Sequence, residues 1–381
     1  MAERDQERFF LNIYFFLSGI CFSTWTSRIP TIKEFFRFND AELGTVLLFM
    51  PMASLAGLPL SGWLVSRFDS RQPMTVGLLM LAISLACIGW ATTPFLLICS
   101  VSVFAFSMRI MNVAVNTQSL TLQKKFERKI NGTFHGLWST GGIVGVGIST
   151  VLVGLHVSME IHLSLVAVVA FAAALLSYSR LLKHDKVTSG NKLTLTKPDP
   201  YIVYLGLLVF FAAICEGGMF DWSGVYFREV VKEDLFTLGY LLFMICMALS
   251  RFVSDDVMEK LGMPKTYVLS ACLIMVGIAV AVVFPQFWTS LLGFCLVGIG
   301  TAAIVPMTFV LAGSAKKYSA GVTISLISTY SIVGMLIGPP LIGYVSNALN
   351  LRTAFVLFGL AGFMLIPISQ LFFRYQKQQG A

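Results

Sequence analysis

Apolar residues gather into twelve runs, each close to the roughly 20 residues that carry a helix across a bilayer's hydrocarbon core. They lie at about 9–29, 42–66, 73–93, 95–120, 131–155 and 162–182, then at 201–227, 236–254, 266–284, 288–313, 320–346 and 353–373. Between the sixth and seventh runs comes the one long polar stretch, KHDKVTSGNKLTLTKPDP, which reads as a linker. The pattern predicts an all-α membrane protein with twelve transmembrane helices in two six-helix bundles. Residues 1–182 would form the first bundle, 183–200 the linker and 201–381 the second bundle. The halves echo each other: GWLVSRFDSR (Gly62–Arg71) and RFVSDDVMEKLGMPK (Arg251–Lys265) are short charged turns after the second run of each half. Paired six-helix halves are a common carrier design, with the substrate site near the membrane midplane.

Composition agrees. Of 381 residues, 56% are hydrophobic and 12% charged, about half the charge a soluble domain carries. The net charge of +8 does not point to nucleic acid, because the basic residues sit in short segments between apolar runs. With both termini on one side, twenty Lys and Arg lie on that side, six lie on the other, and Arg109 lies within a run. The positive-inside rule then makes both termini cytoplasmic. The first run lacks a small-residue cleavage site and is expected to be a retained helix. The seven cysteines fall inside apolar runs without CxxC or His-rich spacing, so they read as small core residues, and neither metal nor cofactor is expected. The GxSxG, HExxH and phosphate-loop signatures are absent, so the chain is not expected to be an enzyme.

Ionisable groups inside the runs carry the functional expectations, since each costs roughly 2.5–3.5 kcal/mol at the centre of a membrane helix and so should face a protein interior or water. The segment CEGGMFDWSGVYF (Cys215–Phe227) holds Glu216, Asp221, Trp222 and three glycines. Glu216 falls about 22 Å and Asp221 about 30 Å along the seventh helix, diverging by about 140° around its axis. Glu216, nearer the middle, is the first choice for a carboxylate that loads and releases a proton. Asp221 is open to two readings, a local ion pair with Arg228 or a gating role. In the fourth helix Arg109, Asn112 and Asn116 share one face. Arg109 is either half of an internal ion pair or a ligand-binding cation suited to a carboxylate or phosphate. His135 could relay protons or satisfy a neighbour's hydrogen bond. Trp25, Trp138 and Trp222 could stack on a ligand ring or mark the membrane interface, and Thr301, Thr308 and Tyr330 are candidates by position. The glycines of the fifth and eleventh runs suit close helix packing, and Pro339 and Pro340 predict a kink in the eleventh helix.

GWLVSRFDSR resembles the GxLxDRxGRR signature of the major facilitator superfamily through Gly62, Leu64, Arg67 and Arg71. It departs at Ser66 and Asp69, where the family has Asp and Gly. The second-half segment, with Arg251, Asp255 and Gly262, is similar to the corresponding pattern. FHGLWSTGG (Phe134–Gly142) and EGGMFDWSGVYF resemble bacterial carriers grouped near the fucose–proton symporters. The resemblance implies the major facilitator fold and alternating access, with the first, fourth, seventh and tenth helices lining the path. It also implies that Arg67, Arg71, Arg251 and Asp255 belong to gating loops. Those symporters associate proton coupling with acids in the first and fourth helices. Here the first helix has none between Phe9 and Pro30, and the fourth carries Arg109.

The expected function is secondary active transport of a small polar, sugar-like solute coupled to protons, by a monomer in the lipid bilayer, with no nucleic acid partner. Efflux of amphiphilic or toxic compounds is the alternative that 32 Phe and 17 Met raise. A non-transporting sensor on a carrier fold is the alternative from another class.

Overall fold

The computed structural model describes residues 3–127, 130–183, 185–186, 199–315 and 320–380. Among them 12 helical segments are long and apolar enough to span a membrane, and there is no strand. The first six spans are α1 (Glu3–Ser27) continued by α2 (Ile29–Phe36), α3 (Asp40–Arg67), α4 (Arg71–Gly89), α5 (Pro94–Gln123), α6 (Asn131–Gly154) and α7 (Met159–Ser177). The other six are α8 (Pro200–Tyr226), α9 (Thr237–Leu261), α10 (Met263–Val283), α11 (Phe287–Ala302) with α12 (Ile304–Gly313), α13 (Ala320–Ala348), and α14 (Leu351–Ala354) with α15 (Val356–Gly380). The all-α, twelve-span layout expected from the apolar runs is therefore the one the chain adopts.

Local chemistry sets the helix ends. The first amides of a helix need acceptors, and polar side chains supply them. Thr93 caps α5 ahead of Pro94, Asp199 caps α8 ahead of Pro200 with a 3.0 Å bond from the Tyr201 amide, and Asn350 caps α14. Proline also sets two of the breaks, because it donates no hydrogen bond and its ring crowds the carbonyl four residues back. Pro30 crowds Thr26 where α1 passes into α2, and Pro306 crowds Ala302 where α11 passes into α12. By contrast α13 runs unbroken through Pro339 and Pro340.

One expectation about the loops is overturned. Arg251–Lys265 is not a charged turn: α9 continues to Leu261 and α10 starts at Met263. Gly262 alone, at φ +76°, makes the corner, a conformation that a side chain would strain. Arg251 therefore belongs to a membrane-spanning helix, not to a gating loop. Asp255 lies on the same helix, with its side chain outside the described residues. In the first half the turn is real but shorter than expected, with only Phe68–Ser70 separating α3 from α4.

By contacts the chain divides into two compact units, Met1–Phe36 with Phe49–Thr194, and Arg37–Leu48 with Leu195–Ala381. The same pairings recur in each: first span with fifth (α1 with α6, α8 with α13), third with fourth (α4 with α5, α10 with α11) and third with sixth (α4 with α7, α10 with α15). Small residues permit the tightest of these crossings. A methyl on Gly141 of α6 would overlap the Phe16 carbonyl of α1, and one on Gly334 of α13 would meet the Phe210 carbonyl of α8 at 2.5 Å. The cysteines divide. Cys21 and Cys215 are buried as expected, but Cys87, Cys99 and Cys272 are exposed on the spans, where an apolar side chain can face lipid as readily as core.

Candidate substrate and ion site

In the first unit the polar face of α5 is partly open. Arg109 lies about 22 Å along this helix, and its Nε donates to Ser54 Oγ on α3 at 2.8 Å. Gly57, one turn beyond Ser54, leaves room for the aliphatic stem: an added methyl would lie 3.4 Å from Arg109 Cβ. Arg109 forms no ion pair among the described residues. Of its two sequence readings, the internal ion pair thus finds no partner there. The terminal nitrogens form a planar fork suited to a carboxylate or phosphate. Asn116 donates to the Asn112 carbonyl at 2.7 Å, so one of its two amide protons is used within the helix.

His135 is exposed near the start of α6, with its ring edge-on to Phe15 at 5.7 Å. Trp138 is half-buried against Phe22 at 6.1 Å. Arg67 is exposed at the end of α3. Arg71 opens α4, 3.8 Å from Asp69, with its guanidinium 5.1 Å from the Tyr178 ring centroid.

The second unit carries the acids. Glu216 Oε1 lies 3.4 Å from Arg251 Nη2, which also contacts Met247 Sδ at 3.8 Å. The Glu216 side chain is 14% exposed and that of Arg251 35%. The 140° between Glu216 and Asp221 separates their surroundings: Glu216 points at α9, whereas Asp221 is partly buried and bonds to none of the described residues. Its proposed local partner, Arg228, lies 2.6 Å from Asp234.

Trp222 corrects an expectation. It is completely buried, with its Nε1 lacking a partner among the described residues, and presents no face to a ligand in this structure. The cause is the position of α8, which packs against α9, α13 and α15 and is covered almost throughout from Ala212 to Phe227. Trp25 is likewise in the core, donating to Met50 Sδ at 3.1 Å. Thr301 and Thr308 spend their hydroxyls on helix carbonyls, and Thr308 also bonds Tyr267 at 2.8 Å. Tyr330 lays its ring over Gly206.

Two polar clusters have no counterpart in the sequence reading. Arg28, one of the six basic residues expected on the side away from the termini, is 4% exposed; it donates to His162 Nδ1 at 3.0 Å and to the Val157 carbonyl at 2.8 Å. Asp185, placed in the linker, is buried and accepts from the Ser70 amide at 2.8 Å and from the Ser70 hydroxyl, while Gln118 donates to that hydroxyl. No group of three or more His, Cys, Asp or Glu with metal-binding geometry occurs among the described residues.

Arg109, Glu216, Asp221 and Arg251 are thus held at depth in long apolar helices. The model of the Major Facilitator Superfamily matches residues 11–267 and 241–380, and the chain belongs to that family: it is a multi-pass membrane transporter. It is 29% identical over 369 residues to membrane protein MosC of Rhizobium meliloti, covering 96% of this chain and 90% of MosC. An MFS-type transporter of Yersinia pestis is 28% identical over 357 residues, covering 93% of this chain and 92% of that protein. Among solved structures the nucleoside transporter NupG is similar in fold, with TM-score 0.79 at 15% identity over 98% of this chain and all of NupG.

Proposed function

We propose that the protein is a secondary active transporter that moves a small polar solute by alternating access, coupled to protons through Glu216. The observation that carries this reading is the Glu216–Arg251 pair. A carboxylate inside a span, 14% exposed, is costly unless its charge is used or answered. At 3.4 Å the guanidinium answers it only loosely, since charge-assisted bonds close to about 2.7–2.9 Å. Such a pair can open when a proton replaces the cation as partner. Glu216 is thus the proton-linked group, Arg251 its alternate partner, and Arg109 with Asn112 the solute-binding face of the first unit. Asp221, partly buried and without a bond among the described residues, is a second acid for the solute or the ion. The distribution of Lys and Arg supports cytoplasmic termini, and the similarity to bacterial membrane transporters supports a bacterial inner membrane.

The test is transport by purified protein in liposomes, with counterflow screened across sugars, organic acids and nucleosides, the last because NupG carries them. For any solute that exchanges, Glu216→Gln should keep exchange and lose accumulation driven by an imposed proton gradient. Undiminished uphill transport in that variant would remove Glu216 from coupling. Counterflow of none of these solutes, joined to drug sensitivity of a deletion strain, would instead favour efflux of amphiphilic compounds.

A further inference from the structure

We propose that the second unit carries a binding site for the phosphate headgroup of an anionic phospholipid, in the groove between the start of α10 and the end of α15. A cavity of about 280 Å³ lies there, lined by Pro264, Ser369, Gln370, Phe373, Arg374, Gln376 and Lys377. The volume is just below the roughly 300 Å³ at which small-molecule sites begin, which suits a headgroup rather than a whole solute. Its lining includes two cations and no carboxylate. Neither Arg374 nor Lys377 forms a hydrogen bond or ion pair among the described residues, and the same holds for Lys265 beside Pro264. The α10 terminus adds to the positive potential, because Gly262 supplies no side-chain cap to its first amides.

Depth points to a lipid. Arg374 and Lys377 lie about 27 and 32 Å along α15 from Val356, where a hydrocarbon core about 30 Å thick gives way to headgroups. Gln370, Arg374 and Lys377 follow one another at four and three residues, on one helix face. Phe363, one heptad before Gln370 on that face, is 47% exposed and offers an acyl chain an apolar wall. A basic pocket between spans at the membrane surface is a recurrent anionic-lipid site.

The experiment compares wild type with Arg374→Ala/Lys377→Ala. A control, Arg180→Ala/Lys183→Ala, removes the same charge from exposed positions of the first unit. Each protein in detergent is titrated with phosphatidylglycerol, phosphatidylcholine or inorganic phosphate, while thermal unfolding and bound lipid are followed by native mass spectrometry. Phosphatidylglycerol should raise the unfolding temperature of wild type and control, remain bound to both, and bind the Arg374/Lys377 variant about 30-fold more weakly. The charge-retaining Arg374→Lys/Lys377→Arg variant should restore binding. Equal responses to phosphatidylglycerol and phosphatidylcholine would overturn the proposal, as would equal lipid retention by wild type and the alanine variant. Inorganic phosphate matching phosphatidylglycerol would overturn the lipid as the source of the anion.

Discussion

Glu216 on α8 and Arg251 on α9 face each other across 3.4 Å inside two membrane-spanning helices. Neither is sealed off: more than a third of the Arg251 side chain is accessible. The distance is longer than that of a close charge-assisted bond, and neither side chain is enclosed. A fully buried, tightly bonded pair would be a structural rivet. A looser contact of this kind is what the proposed proton coupling through Glu216 requires.

Replacing Arg251 should hurt more than replacing both partners. Arg251→Met leaves a carboxylate without its cation, whereas Glu216→Gln/Arg251→Met leaves two neutral side chains. Breaking a fully buried pair costs 3–5 kcal/mol; with this exposure we expect about 1–2 kcal/mol. The double variant should recover most of that loss. Unfolding midpoints of the four members of the cycle measure the coupling, and additive losses would show that the two charges do not interact.

Arg109 yields a prediction that separates charge from shape. With only Ser54 bonded to its Nε, the guanidinium contributes little to folding, so Arg109→Ala should unfold within about 1 kcal/mol of wild type. Ligand-induced thermal shifts, by contrast, should vanish in Arg109→Ala. In Arg109→Lys they should fall about tenfold in apparent affinity, because an ammonium cannot reproduce the fork. A ligand shift in Arg109→Ala equal to wild type would remove this residue from the binding face.

The sequence disclosed the spans and the depth of the charges, because both follow from hydrophobic length. It did not disclose which way the charges turn. Arg251 looked like a loop residue because Asp255, Asp256, Glu259 and Lys260 follow it closely, yet one glycine sufficed for the corner. Trp222 looked available because its segment, with Glu216, Asp221 and three glycines, read as facing an interior or water, but the helix carrying it is packed on most of its surface. The Arg28–His162 contact joins residues 134 apart, and no local pattern signals such a pairing. Glu216–Arg251 and Arg109–Ser54 are likewise tertiary facts between residues that were each individually legible.

The packing of α1 on α6 should be sensitive to one methyl group. At Gly141 the added carbon would meet a backbone carbonyl, which cannot swing aside as a flexible side chain can. Gly141→Ala should cost about 1–3 kcal/mol, whereas Gly147→Ala, with nothing within 4 Å, should be neutral or slightly stabilising. Thermal unfolding of the two variants compares them directly, and equal midpoints would refute the close approach.

The Arg28–His162 contact can be tested by asking what the imidazole supplies. Arg28 Nε is a donor in every protonation state, so His162 Nδ1 must accept, and the proton of a neutral ring then sits on Nε2. His162 is fully buried and Arg28 nearly so, hence losing the acceptor leaves a desolvated donor unanswered, at about 1–3 kcal/mol. His162→Ala should therefore lower the unfolding temperature by several degrees, at about 2–4 °C per kcal/mol for a unit of this size. His162→Gln offers an amide oxygen and should recover part of the loss. In an Arg28→Ala background the two substitutions should differ much less, because the donor they were meant to satisfy is gone. Should His162→Ala and His162→Gln be equally destabilised in the native background, volume rather than the hydrogen bond is what His162 contributes.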